Sequence, residues 1–413
     1  MKRKICVLLC MAVALCMYGQ RFFDKVDLGI DKFKYSKLDT NYIAPPKYKL
    51  MVTVESKNFW NHDNIHIPFS WTDPFWYENY PGLDKYETLG IWSKTSQTSV
   101  NLRVSYCGFA ASYGFSLNGN GSRKAFAVGS NGNKFGFKVG FERTSLNKAR
   151  FRDYRFLPLI YELYNMMYED GEIDRRYTID ELAEQSTYTR GDLVDDEWIE
   201  EDDDWELDDM IRWYGNFYYA FNHRKFSMSA ANYAQYIQKR SAGSFFVTGD
   251  INYTRMHAND LLNLSDDEIS DRPSRERFSA FGVALGAGYG YNWTPNQGKF
   301  LLHGSLRPTV NVYSRMDYDA HQWVKQPDGS VKKEKMERIP ELTPLYDHKM
   351  KLTFGGVARV AAVWNISPRI VTGANMEWTI RDNRNSKDYR MYNSRFNLNA
   401  YFAMRFFKNK RRY

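Results

Sequence analysis

His303 and Ser305 stand two residues apart in the run 300–312, the spacing that puts an imidazole and a hydroxyl on one face of a strand. A hydroxyl beside a histidine base is the beginning of acyl-transfer chemistry. It needs a third group to orient the ring, for which Asn311 and Asp250 are the available types. The surrounding pattern argues for a plainer role. Phe300, Leu302, Gly304, Leu306, Pro308, Val310 and Val312 make one face, whereas His303 and Ser305 fall with Arg307, Thr309 and Asn311 on the other. A lipid hydrolase needs its nucleophile reachable from lipid, so the pair reads as two polar lumen residues and no catalytic residue is assigned.

Charged residues of the same parity offer a second chemistry. Arg103, Arg307, Arg359, Arg395 and Arg405 lie on the polar faces of their segments, together with the acids Glu55, Asp250 and Glu377. A basic excess in a lumen favours anions, while ion pairs among the same groups would fill a narrow barrel; both readings stay open. Metal chemistry finds no ligand set. His62 and His66 are four apart with Asp63 between them, yet Pro68 and the aromatic surroundings read as a loop, and no second cluster completes the ligands. Residues 191–210 hold twelve acids and no base. Their spacing lacks the glycine of an EF-hand loop, so a solvated acidic loop is expected. The glycines of 282–290 alternate with larger residues, and no helix start or Lys-Ser/Thr follows, which argues against a phosphate loop. No cofactor is expected.

What positions these groups is a period of two, sustained beyond ordinary strands. Residues 300–312, 349–365, 370–381 and 395–406 each set an apolar face against a charged one. In the last, Phe396, Leu398, Ala400, Phe402, Met404 and Phe406 oppose Arg395, Asn397, Asn399 and Arg405. Soluble strands average about five or six residues, and spanning strands need about nine to eleven. Such lengths, with aromatics such as Tyr289, Tyr291, Trp293, Trp364 and Trp378 near segment ends, predict an all-β fold. It is a single transmembrane antiparallel β-barrel of about twelve strands, within about ten to fourteen, with long loops and one acidic insert.

Earlier segments are 47–58, 99–106, 109–118, 135–143, 211–221, 225–238, 245–256 and 278–293. Parity flips at Cys107-Gly108, which reads as a tight turn. It flips again around Asn131-Gly132, a hairpin turn or a bulge in one long strand. Asn-Gly favours the turn, but the bulge gives twelve strands and the turn an odd number unless 65–71 also pairs, so the count is taken with the bulge. In 278–293 the inward set is Ala280, Gly282, Ala284, Gly286, Gly288 and Gly290, leaving room for bulky neighbours, a plug or a channel. Connections at 294–298 and 366–368 read as periplasmic turns, and 257–276 and 315–347 as external loops. With 225–238 as a strand, the longest insert, 144–210, falls on the periplasmic side, against expectation. Within it the apolar run 157–168 and the capping box Thr178-Ile179-Asp180-Glu181 suggest helix.

The chain has 413 residues, 57 Lys plus Arg, 49 Asp plus Glu, and 16% aromatic residues. That aromatic load excludes a disordered coil. Beyond the first twenty residues no stretch approaches the roughly 18 apolar residues of a spanning helix. Lys2, Arg3 and Lys4 precede an apolar run over 5–18 that closes at Gly19-Gln20, which predicts a secretory signal peptide over 1–20. Leu15 before Cys16 and Leu9 before Cys10 argue against lipidation. After cleavage Cys107 is alone, so no intramolecular disulfide is expected. A periplasmic N-terminal segment at 21–46, the barrel at 47–407 and a basic tail at 408–413 follow. Export and the alternating placement of basic residues argue against nucleic acid.

The motif Asn222-His223-Arg224-Lys225 and the later run Ser241-Ala242-Gly243-Ser244 resemble a Bacteroidota family called domain of unknown function 4421. The run Asp39-Thr40-Asn41-Tyr42-Ile43 is similar to that family's opening, and the resemblance covers residues 39–407. It implies a barrel in the outer membrane of a Gram-negative bacterium, with no established activity and no catalytic residues to carry over. The spacing of His303 and Ser305 is similar to the His-x-Ser pair of outer-membrane phospholipase, in spacing alone. The expected function is a narrow anion-preferring pore for small solutes. The alternative is a filled structural or ligand- or lipid-binding barrel, and a lipid hydrolase using His303 and Ser305 stands third. Expected partners are small solutes, the barrel-assembly machinery, and outer-membrane lipid and lipopolysaccharide, whose phosphates Arg224 and Lys225 would meet. His223 is expected to help a turn.

Overall fold

The computed structural model describes residues 38–45, 47–68, 88–106, 108–119, 122–145, 149–152, 157–185, 187–189, 207–259, 275–328, 330–335, 352–384 and 390–408. The expected signal peptide over 1–20, Cys107, most of the acidic run and the tail from 409 onward lie outside the described residues.

Twelve antiparallel strands close into one barrel: β1 (Tyr48–Pro68), β2 (Thr88–Tyr106), β3 (Phe109–Gly119), β4 (Arg123–Asn131), β5 (Phe135–Ser145), β6 (Leu207–Ala220), β7 (Ala242–Asn259), β8 (Arg275–Trp293), β9 (Phe300–Lys325), β10 (Thr353–Trp364), β11 (Ile370–Arg384) and β12 (Arg390–Lys408). Each pairs with the next in the chain, and β12 returns to β1 from Arg390↔His66 to Lys408↔Tyr48. Closure leaves no unpaired edge and satisfies the strand backbones within the sheet. The alternation sorts side chains as the pleat requires. Phe245, Leu306 and Phe354 stand outside at 68%, 64% and 74% exposure, whereas Asp250, His303 and Arg405 are buried inside.

Two departures from the sequence expectation offset each other. Arg123–Asn131 is a strand of its own, paired with β3 on one side and β5 on the other, so Asn131-Gly132 opens a turn and not a bulge. Conversely, 225–238 is no barrel strand. It carries a short helix, Met228–Tyr233, in which Met228, Ser229, Ala230 and Ala231 are all buried. Period two is ambiguous for so short an apolar run, and here a capping serine, Ser227, starts a helix by accepting from the Ala230 amide at 3.0 Å. The count of twelve therefore stands.

Exchanging one strand for another also settles the side of the long insert. The chain enters at Tyr48 and leaves at Lys408 on one rim, called near here, which also carries the turns at Gly108, 132–134, 294–299 and 365–369. The chain leaves β5 and re-enters β6 at the opposite, far rim, together with the connections β7 to β8 and β9 to β10. The near-side placement of the insert came from counting 225–238 as a strand and is corrected: the insert joins the long connections, away from the short turns, as a long loop was expected to. A genuine bulge lies at Val312, where Val283 faces Tyr313 but Ala284 faces Asn311. It reverses parity, so β9 runs on to Lys325 and folds back through Val331–Lys335, where a loop was expected. In the insert, α1 (Leu157–Glu169) and α2 (Ile179–Gln185) form as the apolar run and capping box suggested. Thr178 and Glu181 exchange amide hydrogen bonds of 2.8 and 3.2 Å.

Candidate functional site

Between β6 and β7 the chain turns at 221–225 and then enters the barrel. The helix α3 (Met228–Tyr233) suits a narrow mouth because its small side chains pack on all sides. Ala230, Ala231 and Ala234 meet Met51, Leu301, Val363, Val371, Tyr401 and Ala403, while Phe226 and Met228 meet Ala220, Ala242 and Phe246 on the other wall. The small inner face of β8 is what makes room: a Cβ on Gly290 would stand 3.2 Å from the Phe226 ring. Of the three readings that face left open, plug and bulky neighbours both hold, since Asn252 and Phe246 crowd Gly282 and Gly288.

Amide side chains and the guanidinium of Arg405 satisfy the plug's backbone. Asn292 Nδ2 donates to the Ser227 carbonyl at 2.9 Å, and Gln238 Oε1 accepts from the Ser227 amide at 2.9 Å. Gln238 Nε2 donates to the carbonyls of Lys225 and Arg240 at 2.6 and 2.8 Å. Arg405 Nη2 donates to the Ala234 carbonyl at 2.7 Å. Outside the helix, Ile43–Ala44 pair with Ile237–Gln238, and the Asp39 amide donates to the Arg224 carbonyl at 3.0 Å. The motif residues converge here. Asn222 holds Ser244 Oγ and the Gly243 carbonyl at 2.9 and 2.8 Å, and His223 Nδ1 meets the Ala220 carbonyl at 3.2 Å. Ser241 Oγ accepts from the Thr294 amide at 3.0 Å, and Ala242 packs in the cluster around Phe226. Lys225 and Arg240 lie over the Tyr42 ring at 5.1 and 5.9 Å.

Ser305, His303 and Asn292 form a chain of hydrogen bonds in the order nucleophile, base and orienting group. His303 Nε2 lies 3.1 Å from Ser305 Oγ, and Nδ1 lies 2.8 Å from Asn292 Oδ1. Neither orienting candidate from the sequence takes that place: Asn311 bonds Thr353 at 2.7 Å, and Asp250 pairs with Arg307 at 3.1 Å. Here the amide of Asn292 holds the plug, and Phe226 packs against the His303 ring with centroids 6.2 Å apart. The array anchors the plug to β8 and β9.

Beyond the plug lies a cavity of about 120 Å³ lined by the β1 to β6 wall, by β10 to β12 and by Asn232 and Tyr233 of the plug. Arg103 pairs with Glu55 at 2.8 Å and lies over the Tyr233 ring, and Arg359 pairs with Glu377 at 3.1 Å. Lys57 and Lys138 line the same space. Farther from the plug, ion pairs cross the lumen. Arg395 on β12 holds Glu142 on β5 through both terminal nitrogens at 3.0 and 2.9 Å, although β1 to β4 separate these strands. Arg123 joins Glu142 at 2.8 Å, Arg212 approaches Asp63 at 4.0 Å, and buried Phe59 lies beneath Arg123 and Arg395.

All eight lumen residues named from the sequence thus lie on the inner wall, in three places. Arg103, Arg359 and Glu377 line the cavity, His303 and Arg405 hold the plug, and Arg307, Asp250 and Arg395 are in wall or cross-lumen pairs. Lys57, Lys138, Glu142 and Arg212 were not singled out, although their parity equals that of Glu55, Phe135's inward neighbours and Asn216. Arg123 escaped notice because β4 was folded into a bulge. His62 and His66 lie on β1 and not in a loop, in register with Ser394 and Arg390. Among the described residues no group of three metal-ligating side chains converges.

A family model described as Domain of unknown function (DUF4421) matches residues 173–406, more than half of the chain. The Asp39–Ile43 run lies outside that match. No curated protein matches the sequence. Among solved structures, the translocator domain of autotransporter NalP from Neisseria meningitidis is 8% identical, covering 96% of this chain and 100% of its own, with a TM-score of 0.31. An outer membrane channel from Pseudomonas putida F1 is 10% identical, covering 89% and 99%, with a TM-score of 0.29. The P. putida toluene transporter TodX is 7% identical, covering 87% and 91%, with a TM-score of 0.28.

Proposed function

Since the chain belongs to the family described as Domain of unknown function (DUF4421), a description that assigns no chemistry, we propose its function from the barrel itself. It is an outer-membrane β-barrel that passes small anionic solutes when its plug moves aside and is closed at rest. The outer surface supports the location. Val54, Leu102, Phe217, Val247, Leu285, Leu306 and Phe402 stand exposed on β1, β2, β6 to β9 and β12, an apolar band that suits lipid and that water would penalise. Outer-membrane lipid and lipopolysaccharide surround that band, and the barrel-assembly machinery inserts the chain after the leader is removed.

The observation that carries the reading is the lumen: a plug of this chain's own residues beneath a cavity whose cations outnumber its carboxylates. A surplus of positive charge in a low-dielectric wall concentrates anions and repels cations. The test is a planar-bilayer recording under a KCl gradient, with 226–238 replaced by a short Gly-Ser linker. The wild-type barrel is expected to be nearly silent. The shortened one should conduct steadily with an anion-selective reversal potential, weakened when Arg359 becomes Ala. A folded, shortened barrel that stays silent or selects cations would refute the conduit.

A second reading, a filled binding or structural barrel, is favoured by the Arg395–Glu142 pair, which ties opposite walls without help from the plug. Silence after plug removal is its signature. A lipid hydrolase has no support beyond the Ser305–His303–Asn292 order, since that array faces the plug.

A further inference from the structure

Four cations of the cavity share two carboxylates. Arg103 and Arg359 are each paired with one, Glu55 and Glu377. Lys57 and Lys138 line the cavity without a paired carboxylate among the described residues; both lie within electrostatic reach of Glu55 and Glu377 and of each other. Lys138 also rests over the Tyr214 ring at 5.5 Å, which orients it but supplies no full negative charge. Arg123 also lines the space but is turned to Glu142, which Arg395 shares. The site therefore holds at least two cationic side chains more than carboxylates in a confined space, where unpaired charge is costly.

We propose that this cavity is a binding site for one small, doubly charged anion, of the phosphate, sulfate or short-dicarboxylate class, held by Lys57 and Lys138. The charge of the occupant follows from the surplus, and its size from the space. An engineered cavity of roughly 150 Å³ holds benzene, so about 120 Å³ takes a solute of roughly five or six non-hydrogen atoms. Two flexible ammonium groups suit this: each is a point charge with three donors, able to meet either an oxyanion or two carboxylates. The site deepens the anion-conduit reading and rests on it: a selective binding step inside the lumen names what passes.

The test is isothermal titration of inorganic phosphate into the refolded full barrel in low-chloride buffer near neutral pH. One saturable site per chain is expected. Lys57→Met and Lys138→Met should each weaken binding at least tenfold, while Lys299→Met, on the exposed 294–299 turn, should leave it unchanged. Glu377→Gln removes a competing carboxylate and should tighten binding several-fold, which a general loss of structure could not do. Sulfate and oxalate through the same series separate an oxyanion site from a dicarboxylate site. Absence of saturable binding by all three, or binding indifferent to both lysines, overturns the proposal. If either Lys→Met variant fails to fold, Lys→Arg at that position and Glu377→Gln decide it, and unchanged or weaker binding in Glu377→Gln counts against it. Phosphate binding in a barrel that never conducts keeps the site and removes the conduit; conductance without binding does the reverse.

Discussion

The near rim and the middle of the lumen are both obstructed, but by different physics. At the near rim, closure comes from alanine and aromatic packing and from amide side chains that satisfy the plug's backbone, with Arg405 adding a charged donor. In the middle, closure is ionic: Glu142 is shared by Arg123 and Arg395, and Asp63 faces Arg212. Neutral contacts with short hydrogen bonds define one geometry and release as a unit. Charge pairs can exchange partners with a passing ion, because an anion offers arginine the same oxygen atoms that glutamate does. The plug is thus suited to act as a gate, and the charged middle to act as a sieve.

Predictions that break this contrast can be ranked by size. Glu142→Gln leaves two buried guanidinium groups with reduced compensation, and loss of one partner from a buried pair costs about 3–5 kcal/mol. Urea unfolding in lipid should show that loss, while the plug's protease resistance stays as in wild type. Asn292→Ala does the opposite. It removes bonds to Ser227, Gln238 and His303, at about 1 kcal/mol each, so about 2–3 kcal/mol should be lost from the seating of the plug. Limited proteolysis within 221–241 is expected to accelerate before any change in barrel unfolding; simultaneous loss of both would merge the two regions into one unit.

A smaller effect concerns Ser305. Because its histidine is committed to the plug anchor, the native barrel should not react with a fluorophosphonate probe, and covalent labelling of Ser305 would reopen the hydrolase reading. The smallest lies outside the barrel. The backbone and hydroxyl hydrogen bonds of Thr178 hold the Glu181 carboxyl below its ordinary range, so Thr178→Ala should move its NMR titration upward. Since that carboxyl is more acidic when the box is formed, the cap is intact above the ordinary carboxylate range and weakens as pH falls. Conductance should not respond.

Much of the barrel was legible because parity is local. Arg359 and Glu377 each declare a face by their own neighbours, and closure only brings the faces together. The plug was less legible: Met228–Tyr233 is too short for a helical period to emerge, and its Met228 and Ala230 also satisfy a strand pattern. One signal pointed to it, the glycine face of β8 that needed something to fill it; Ser227, whose hydroxyl caps the helix, is a second that could have. The cross-lumen pairs were beyond any local pattern, since Glu142 and Arg395 are 253 positions apart and meet only because twelve strands close. The bulge at Val312 hid the second half of β9 in the same way, by reversing parity where the strand continues.

Hydrogen–deuterium exchange of 226–238 in the membrane-embedded wild-type barrel tests most directly whether this segment is a seated plug. The account predicts protection comparable to β7 and β8, lost together across the segment in Asn292→Ala. Exchange at the rate of an exposed loop in the wild-type protein would contradict it.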